Sequence, residues 1–325
     1  MTAASGQPPR RSLRRVLVGA VVYSLFAPAA LLALPLAGLL LAARPRSRGD
    51  ALLAALAGGF GVWWLLQPGD LADQVLRAAA IIATVVFAGA TIHTMTSVTH
   101  RALAAVGAAG AAVAALLTVM GRSWWEIGWS VSHRAGFMAR QSFGLVWALA
   151  PRGADGLPTT NANRMLVDLE QWINGTVQLM GAYYPATIAL QMLAAFALAT
   201  AVCRHLATPM PGVPLGPLRE FRFSEHLGWG VAVPLLVLLI PKLGDARIAA
   251  GNLLVVTAAL YALRGLAVVA FGLALTGGGG FVVQMAIALA VVFMLPVVLA
   301  GSILLGVLDA GLDLRRRWAN PPAGE

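Results

Sequence analysis

The residue in this chain best placed to do chemistry is an arginine inside an apolar run. Arg264 lies within residues 248–275, with Thr257 and Tyr261 at i−7 and i−3, so three polar side chains share one helical face. A charge within a membrane segment is costly and by default marks a function. Arg264 also needs an acceptor, yet every Asp and Glu falls in a loop or at the end of an apolar run. With a turn at 277–280, Arg264 should stand beside residues around 292, which are apolar. Gln191, near the middle of another run, is the depth-matched polar group. Two readings follow: an anion-recognising cavity built from Gln191, Thr257, Tyr261 and Arg264, or a helix break at Arg264–Gly265 from which the side chain snorkels to an interface.

Charged residues gather at two further places. The segment 218–229 alternates charge and aromatic residues (Arg219, Glu220, Phe221, Arg222, Phe223), and the C-terminal run carries Asp309, Asp313 and Arg315 to Arg317. Arg219, Arg222, Asp309, Asp313 and Arg316 are the candidates here for facing headgroups or a partner, with Asp313 and Arg317 as an i,i+4 pair. His93, Thr96, Ser97 and His100 read as one face of a helix. Two His seven residues apart stand about 10 Å apart along a helix, too far for one metal without further ligands. Gly277 to Gly280 has no following Lys-Ser/Thr, which excludes a phosphate loop, and neither a zinc-protease nor a serine-hydrolase motif is present. Without carboxylates inside a run, the acids of a membrane hydrolase or proton pump are missing. An enzyme is not expected, and neither is a metal or cofactor.

The elements that position these groups are membrane helices. The 325 residues are 59% hydrophobic and 11% charged, against about 25% charge in soluble domains, and the mean hydropathy is +0.80. Such a chain cannot cover a water-facing surface. Its net charge of +10 sits between apolar runs, which suits topology and anionic headgroups and argues against nucleic acid. The single Cys203 excludes an internal disulfide. The runs 16–43, 51–67, 75–98, 102–121, 181–203, 227–241, 248–275 and 281–308 predict an all-α polytopic bundle of about eight spans, each needing about 20 residues. The run 16–43 contains Pro28 and Pro35 and is either one kinked span or a short hairpin; the arginine distribution favours one span, with both termini cytoplasmic.

The chain divides into a basic tail (1–15), N-terminal spans (16–121), an amphipathic segment (122–180), C-terminal spans (181–308) and a basic tail (309–325). In 122–180, Leu166, Leu169, Ile173, Val177 and Met180 share one side of a helix, and Pro151 to Pro158 interrupts the segment, predicting two interfacial helices joined by a turn. Small residues recur at every fourth position: Ala104, Ala108 and Ala112 with Gly107 and Gly110, and Ala51, Ala55 and Gly59. Such rows serve helix packing or a partner subunit.

Three segments, PLREFRFSEHLGWGVAVP (217–234), NLLVVTAALYALRGLAVVAF (252–271) and LLGVLDAGLDLRRR (304–317), resemble the YybS-like family of bacterial membrane proteins of unknown function. The resemblance covers about the last third of the chain and implies a multi-pass protein of the bacterial inner membrane; a Gln is usual in that family where Arg264 stands. The architecture is also similar to substrate-binding subunits of vitamin transporters and to rod-shape membrane proteins. Two functions are therefore expected: a small-molecule transport or substrate-binding subunit with a midplane cavity and an energising partner, or a membrane scaffold that docks partners and has no substrate of its own.

Overall fold

The computed structural model describes residues 11–43, 45, 47–151, 159–206, 213, 215–275 and 293–319. The expected turns within 152–158 and at 277–280, and the first ten residues, lie outside the described residues. Among the described residues the chain is all-α. It divides into two units, residues 1–96 with 101–212, and 97–100 with 213–325.

In the first unit, the run 16–43 is split at Pro28 into α1 (Arg11–Phe26) and α2 (Ala29–Ala42). A proline cannot donate its backbone nitrogen and biases the preceding residue away from helix. The two pieces, 16 and 14 residues long, are each about 21–24 Å, short of the roughly 30 Å hydrocarbon core. α3 (Arg48–Leu66) opens on a capping box in which Ser47 and Asp50 satisfy each other's amides. Its C-terminal carbonyls are met by Arg77, whose guanidinium donates to Leu65, Gln67 and Pro68. α4 (Leu71–His93) is capped by Asp70. It is followed by α5 (Val98–Val119), α6 (Trp124–Leu149), α7 (Thr160–Ala182) and α8 (Tyr184–Leu206). α2 packs on α3, α4 and α8, and Phe87 stacks on Phe196 at 4.3 Å between α4 and α8.

α6 and α7 are the two helices predicted in 122–180. They pack on one another where Gly128 meets Gly181 and Ser132 donates to the Val177 carbonyl at 3.2 Å. Leu166 is buried in this contact and Leu169, Ile173 and Val177 half-buried, while Met180 is exposed. The pair is tied to the start of α4. Ser130 donates to Asp70 at 2.6 Å, and Arg134 holds Asp73 with two nitrogens at 2.9 Å each and reaches Asp70 at 2.6 Å. Burial pushes the Asp70 carboxyl up, but the Ser130 hydroxyl, the Asp73 amide and Arg134 together outweigh it and hold it below the usual carboxylate range.

In the second unit, two 3-10 turns (Leu218–Glu220 and Glu225–Gly228) lead into α9 (Trp229–Leu239), a short apolar helix with Pro234 inside it. α10 (Asp245–Leu275) has 31 residues, about 46 Å. α11 (Leu295–Leu312) and α12 (Leu314–Ala319) complete the described chain. Of the run 281–308, the described residues begin at Phe293; a break at Met294 precedes α11, which has Pro296 in its first turn and continues past the run's end to Leu312. Among the described residues, six helices (α3, α4, α5, α8, α10 and α11) are long and apolar enough to cross a membrane, with α2 and the stretch His226–Leu239 as shorter apolar helices.

Candidate functional site

The second unit is organised along α10. A short turn at 240–244 joins α9 to α10, and the first turn of α9 meets α10 at Thr257. There a side chain on Gly230 would strike the Thr257 methyl, and the Thr257 hydroxyl donates to the Gly230 carbonyl at 3.1 Å. α11 packs antiparallel on the other half of α10. A Cβ on Gly306 would collide with the Tyr261 carbonyl, and one on Gly265 with the Ser302 carbonyl, so only glycine permits this backbone approach. The start of α9 and the end of α11 thus meet α10 one turn apart, at Thr257 and Tyr261.

At that level lies a buried charged triad. Asp309, in the last turn of α11, is fully buried, and Arg264 and Arg315 are 5% and 2% exposed. Arg264 Nε donates to Asp309 Oδ2 at 2.8 Å, and its Nη2 to the Asp309 carbonyl at 3.0 Å. Arg315 Nη2 donates to the same carboxylate oxygen at 2.7 Å and its Nε to Oδ1 at 3.3 Å. Arg315 Nη1 donates to the carbonyls of Arg219 and Phe221 at 3.0 and 3.1 Å, tying the 218–221 turn to the triad. The Arg264 guanidinium lies 5.2 Å from the centre of the Phe223 ring, which meets Tyr261 edge-on at 5.1 Å. Arg264 Nη1 is buried and makes no hydrogen bond among the described residues.

One residue makes this geometry possible. Asp313 adopts the left-handed conformation (φ 45°, ψ 54°) and ends α11. The chain reverses there, so Arg315 returns to Asp309 six residues earlier. The expected Asp313–Arg317 helix pair is corrected by this turn: Asp313 is paired with Arg222 at 3.0 Å. α12 then runs back along α10, where Trp318 reaches Gly272. Leu312, Asp313, Arg316 and Arg317 line an open basin, and both of those arginines are exposed.

Two expectations about Arg264 change. α10 is unbroken through Arg264–Gly265, so the arginine does not mark a helix end. A carboxylate does reach it: the register of α11 on α10, held by the close approaches at Gly265 and Gly306, brings Asp309 to Arg264. Of the expected residues, Arg264 and Asp309 are paired and Tyr261 reaches them through Phe223; Arg222 pairs with Asp313, Arg316 lies on the basin, Arg219 contributes its backbone carbonyl, and Thr257 is bonded to Gly230 at the start of α9. Gln191 belongs to the first unit, where its amide donates to the Phe26 carbonyl at 3.0 Å and its carbonyl accepts from Tyr23 at 3.2 Å. Arg315 and Phe223 are the site residues that sequence reasoning passed over. The His93–His100 spacing is not one helix face, because α4 ends at His93 and α5 starts at Val98; Ser97 and His100 form a local 2.7 Å contact.

The triad holds two guanidiniums against one carboxylate, an excess of one positive charge in a desolvated site. Arg264 lies about 16 Å before the Leu275 end of α10, and its side chain reaches Asp309 in the last turn of α11. The three segments that meet here, 217–223, 261–265 and 306–315, are those on which the family resemblance rests. No curated protein and no solved structure matches the chain. A family described as "Predicted membrane protein (DUF2232)" matches residues 15–310, and the chain belongs to this family of multi-pass membrane proteins of unknown function.

Proposed function

We propose that the chain is the membrane-embedded binding or transport subunit for an anionic small molecule, working with an energising partner and without enzymatic activity of its own. The observation that carries this reading is the meeting of the 219–223 segment and the end of α11 at a buried Arg–Asp–Arg triad with one positive charge uncompensated among the described residues. Membrane transporters commonly build ion and substrate sites where helices are interrupted and their ends meet. Burying ions costs several kcal/mol each, and apolar residues of similar size usually stabilise a fold at least as well. A triad whose charges do not balance is thus better explained by a ligand than by stability. The YybS-like resemblance supports a location in the bacterial inner membrane.

A scaffold function is the second reading, and one observation favours it. Ala104, Gly107 and Gly110 on α5, and Ala51, Ala55 and Gly59 on α3, are exposed, and a Cβ added at Gly59, Gly107 or Gly110 meets nothing within 4 Å. The inward face of α5 is instead Ala102, Ala105, Ala109 and Val113. These open rows fit partner helices under either reading. Purification of the native complex, with identification of its small molecules and subunits, separates the two. A ligand lost on Arg264→Leu supports the binding subunit. A ligand-free complex that survives Arg264→Leu and falls apart on Ala108→Leu supports the scaffold.

A further inference from the structure

The basin beside the triad carries a second cluster of charge. Its open volume is about 470 Å³, within the range of roughly 300–1,000 Å³ found for small-molecule sites. Leu312, Asp313, Arg316 and Arg317 line it, and Arg222 reaches its edge through the 3.0 Å pair with Asp313. Neither Arg316 nor Arg317 forms an ion pair among the described residues, and both are exposed.

Two features make this more than a solvated helix end. The first is its position: α12 folds back along α10, so Arg316 and Arg317 flank Arg315, which is buried on Asp309. The second is its charge. Arg222, Arg316 and Arg317 face a single Asp313, leaving two positive charges without a counter-ion among the described residues. A guanidinium fork matches phosphate geometry, and a phosphodiester or a phosphomonoester offsets one or both of the surplus charges.

We propose that the basin binds a phosphate group, held by Arg316 and Arg317 and approached by Arg222 as it exchanges Asp313 for the ligand. The proposal rests on the binding-subunit reading and names the ligand chemistry of the same unit. A soluble phosphate ester and the headgroup of an anionic phospholipid share this chemistry.

The test uses the full chain in nanodiscs of zwitterionic lipid. Inorganic phosphate and glycerol phosphate are titrated calorimetrically against chloride at equal ionic strength, for the wild type and R316Q/R317Q. Native mass spectrometry of the same proteins in discs containing phosphatidylglycerol provides the lipid arm. The double substitution removes two charge-assisted contacts and should weaken binding about a hundredfold. Phosphate binding that R316Q/R317Q weakens supports the site with a soluble ligand. Retained phosphatidylglycerol that R316Q/R317Q sheds supports the same site with a lipid ligand. Absence of both responses, or responses equal in wild type and variant, overturns the proposal. If Arg264→Leu still strips a co-purifying small molecule while R316Q/R317Q changes nothing, the basin proposal fails and the binding-subunit reading stands. If R316Q/R317Q weakens binding and Arg264→Leu is silent, the basin stands and the role given to the triad fails.

Discussion

Asp309→Asn is the most informative single substitution, because it removes charge with almost no change in shape. Asp309 is fully buried and takes donors from Arg264 at 2.8 Å and from Arg315 at 2.7 Å. With Asn there, two guanidiniums remain desolvated with no anion between them, and the buried excess rises from one charge to two. Removing one partner of a buried ion pair costs about 3–5 kcal/mol, or about two to nearly four orders of magnitude in the unfolding equilibrium. Arg264→Met acts differently. It gives up hydrogen bonds to Asp309 but leaves Asp309 and Arg315 as a balanced pair, so its cost should be about 1–2 kcal/mol. The order is therefore Asp309→Asn well below Arg264→Met, which is itself slightly below wild type. Denaturant titration in mixed micelles, followed by tryptophan fluorescence, measures it. Arg264→Met as damaging as Asp309→Asn, or Asp309→Asn within about 1 kcal/mol of wild type, refutes the charge-balance argument.

The glycines offer a paired contrast. Gly265→Ala forces α10 away from the Ser302 carbonyl and should cost at least about 1–3 kcal/mol, whereas Gly107→Ala meets open space and should be neutral or stabilise α5 by up to about 1 kcal/mol. Circular-dichroism melting of the two variants checks this, and equal effects contradict the packing described. Arg134→Gln should loosen α6 from α4 and speed amide exchange in α6 with little change in α10. The same tether should depend on acid in a defined direction. The Asp70 carboxyl is held below its ordinary value of about 3.9, so its contribution is complete at neutral pH and is lost only as the pH falls below about 4. Protection factors of the α6 amides, corrected for the intrinsic pH dependence of exchange, should stay flat from pH 7 until that point, and a transition near pH 6 would contradict it.

The helices were largely legible in the sequence because lipid demands long apolar runs, and those runs are visible without knowing what packs against what. Arg264 was legible as unusual for the same reason. Its partner was not. Pairing Arg264 with Asp309 requires the register of α11 on α10, which is held by the close approaches at Gly265 and Gly306 and which an assumed hairpin turn does not supply. Arg315 was hidden by a local backbone choice: one left-handed residue, Asp313, converts an outward helix position into a buried one. The split at Pro28 could be read as a kink or a hairpin from composition, because proline marks a break without giving the direction of the chain beyond it. Gln191 shows the limit of depth matching. A similar position within a run says nothing about which helices are neighbours, and Gln191 is engaged with Phe26 and Tyr23 in the other unit.

The central claim is that Asp309 is shared between Arg264 and Arg315 when the protein is in a bilayer. Solid-state NMR on protein reconstituted in lipid, with labelled Asp and Arg side chains, reads this as dipolar coupling between the Asp309 carboxyl carbon and guanidinium nitrogens. With N–O separations of 2.8 and 2.7 Å, that coupling should be strong in the wild type, reduced but present in Arg264→Met, and absent in Asp309→Asn. An Asp309 carboxyl that couples to no arginine nitrogen in the bilayer contradicts the account.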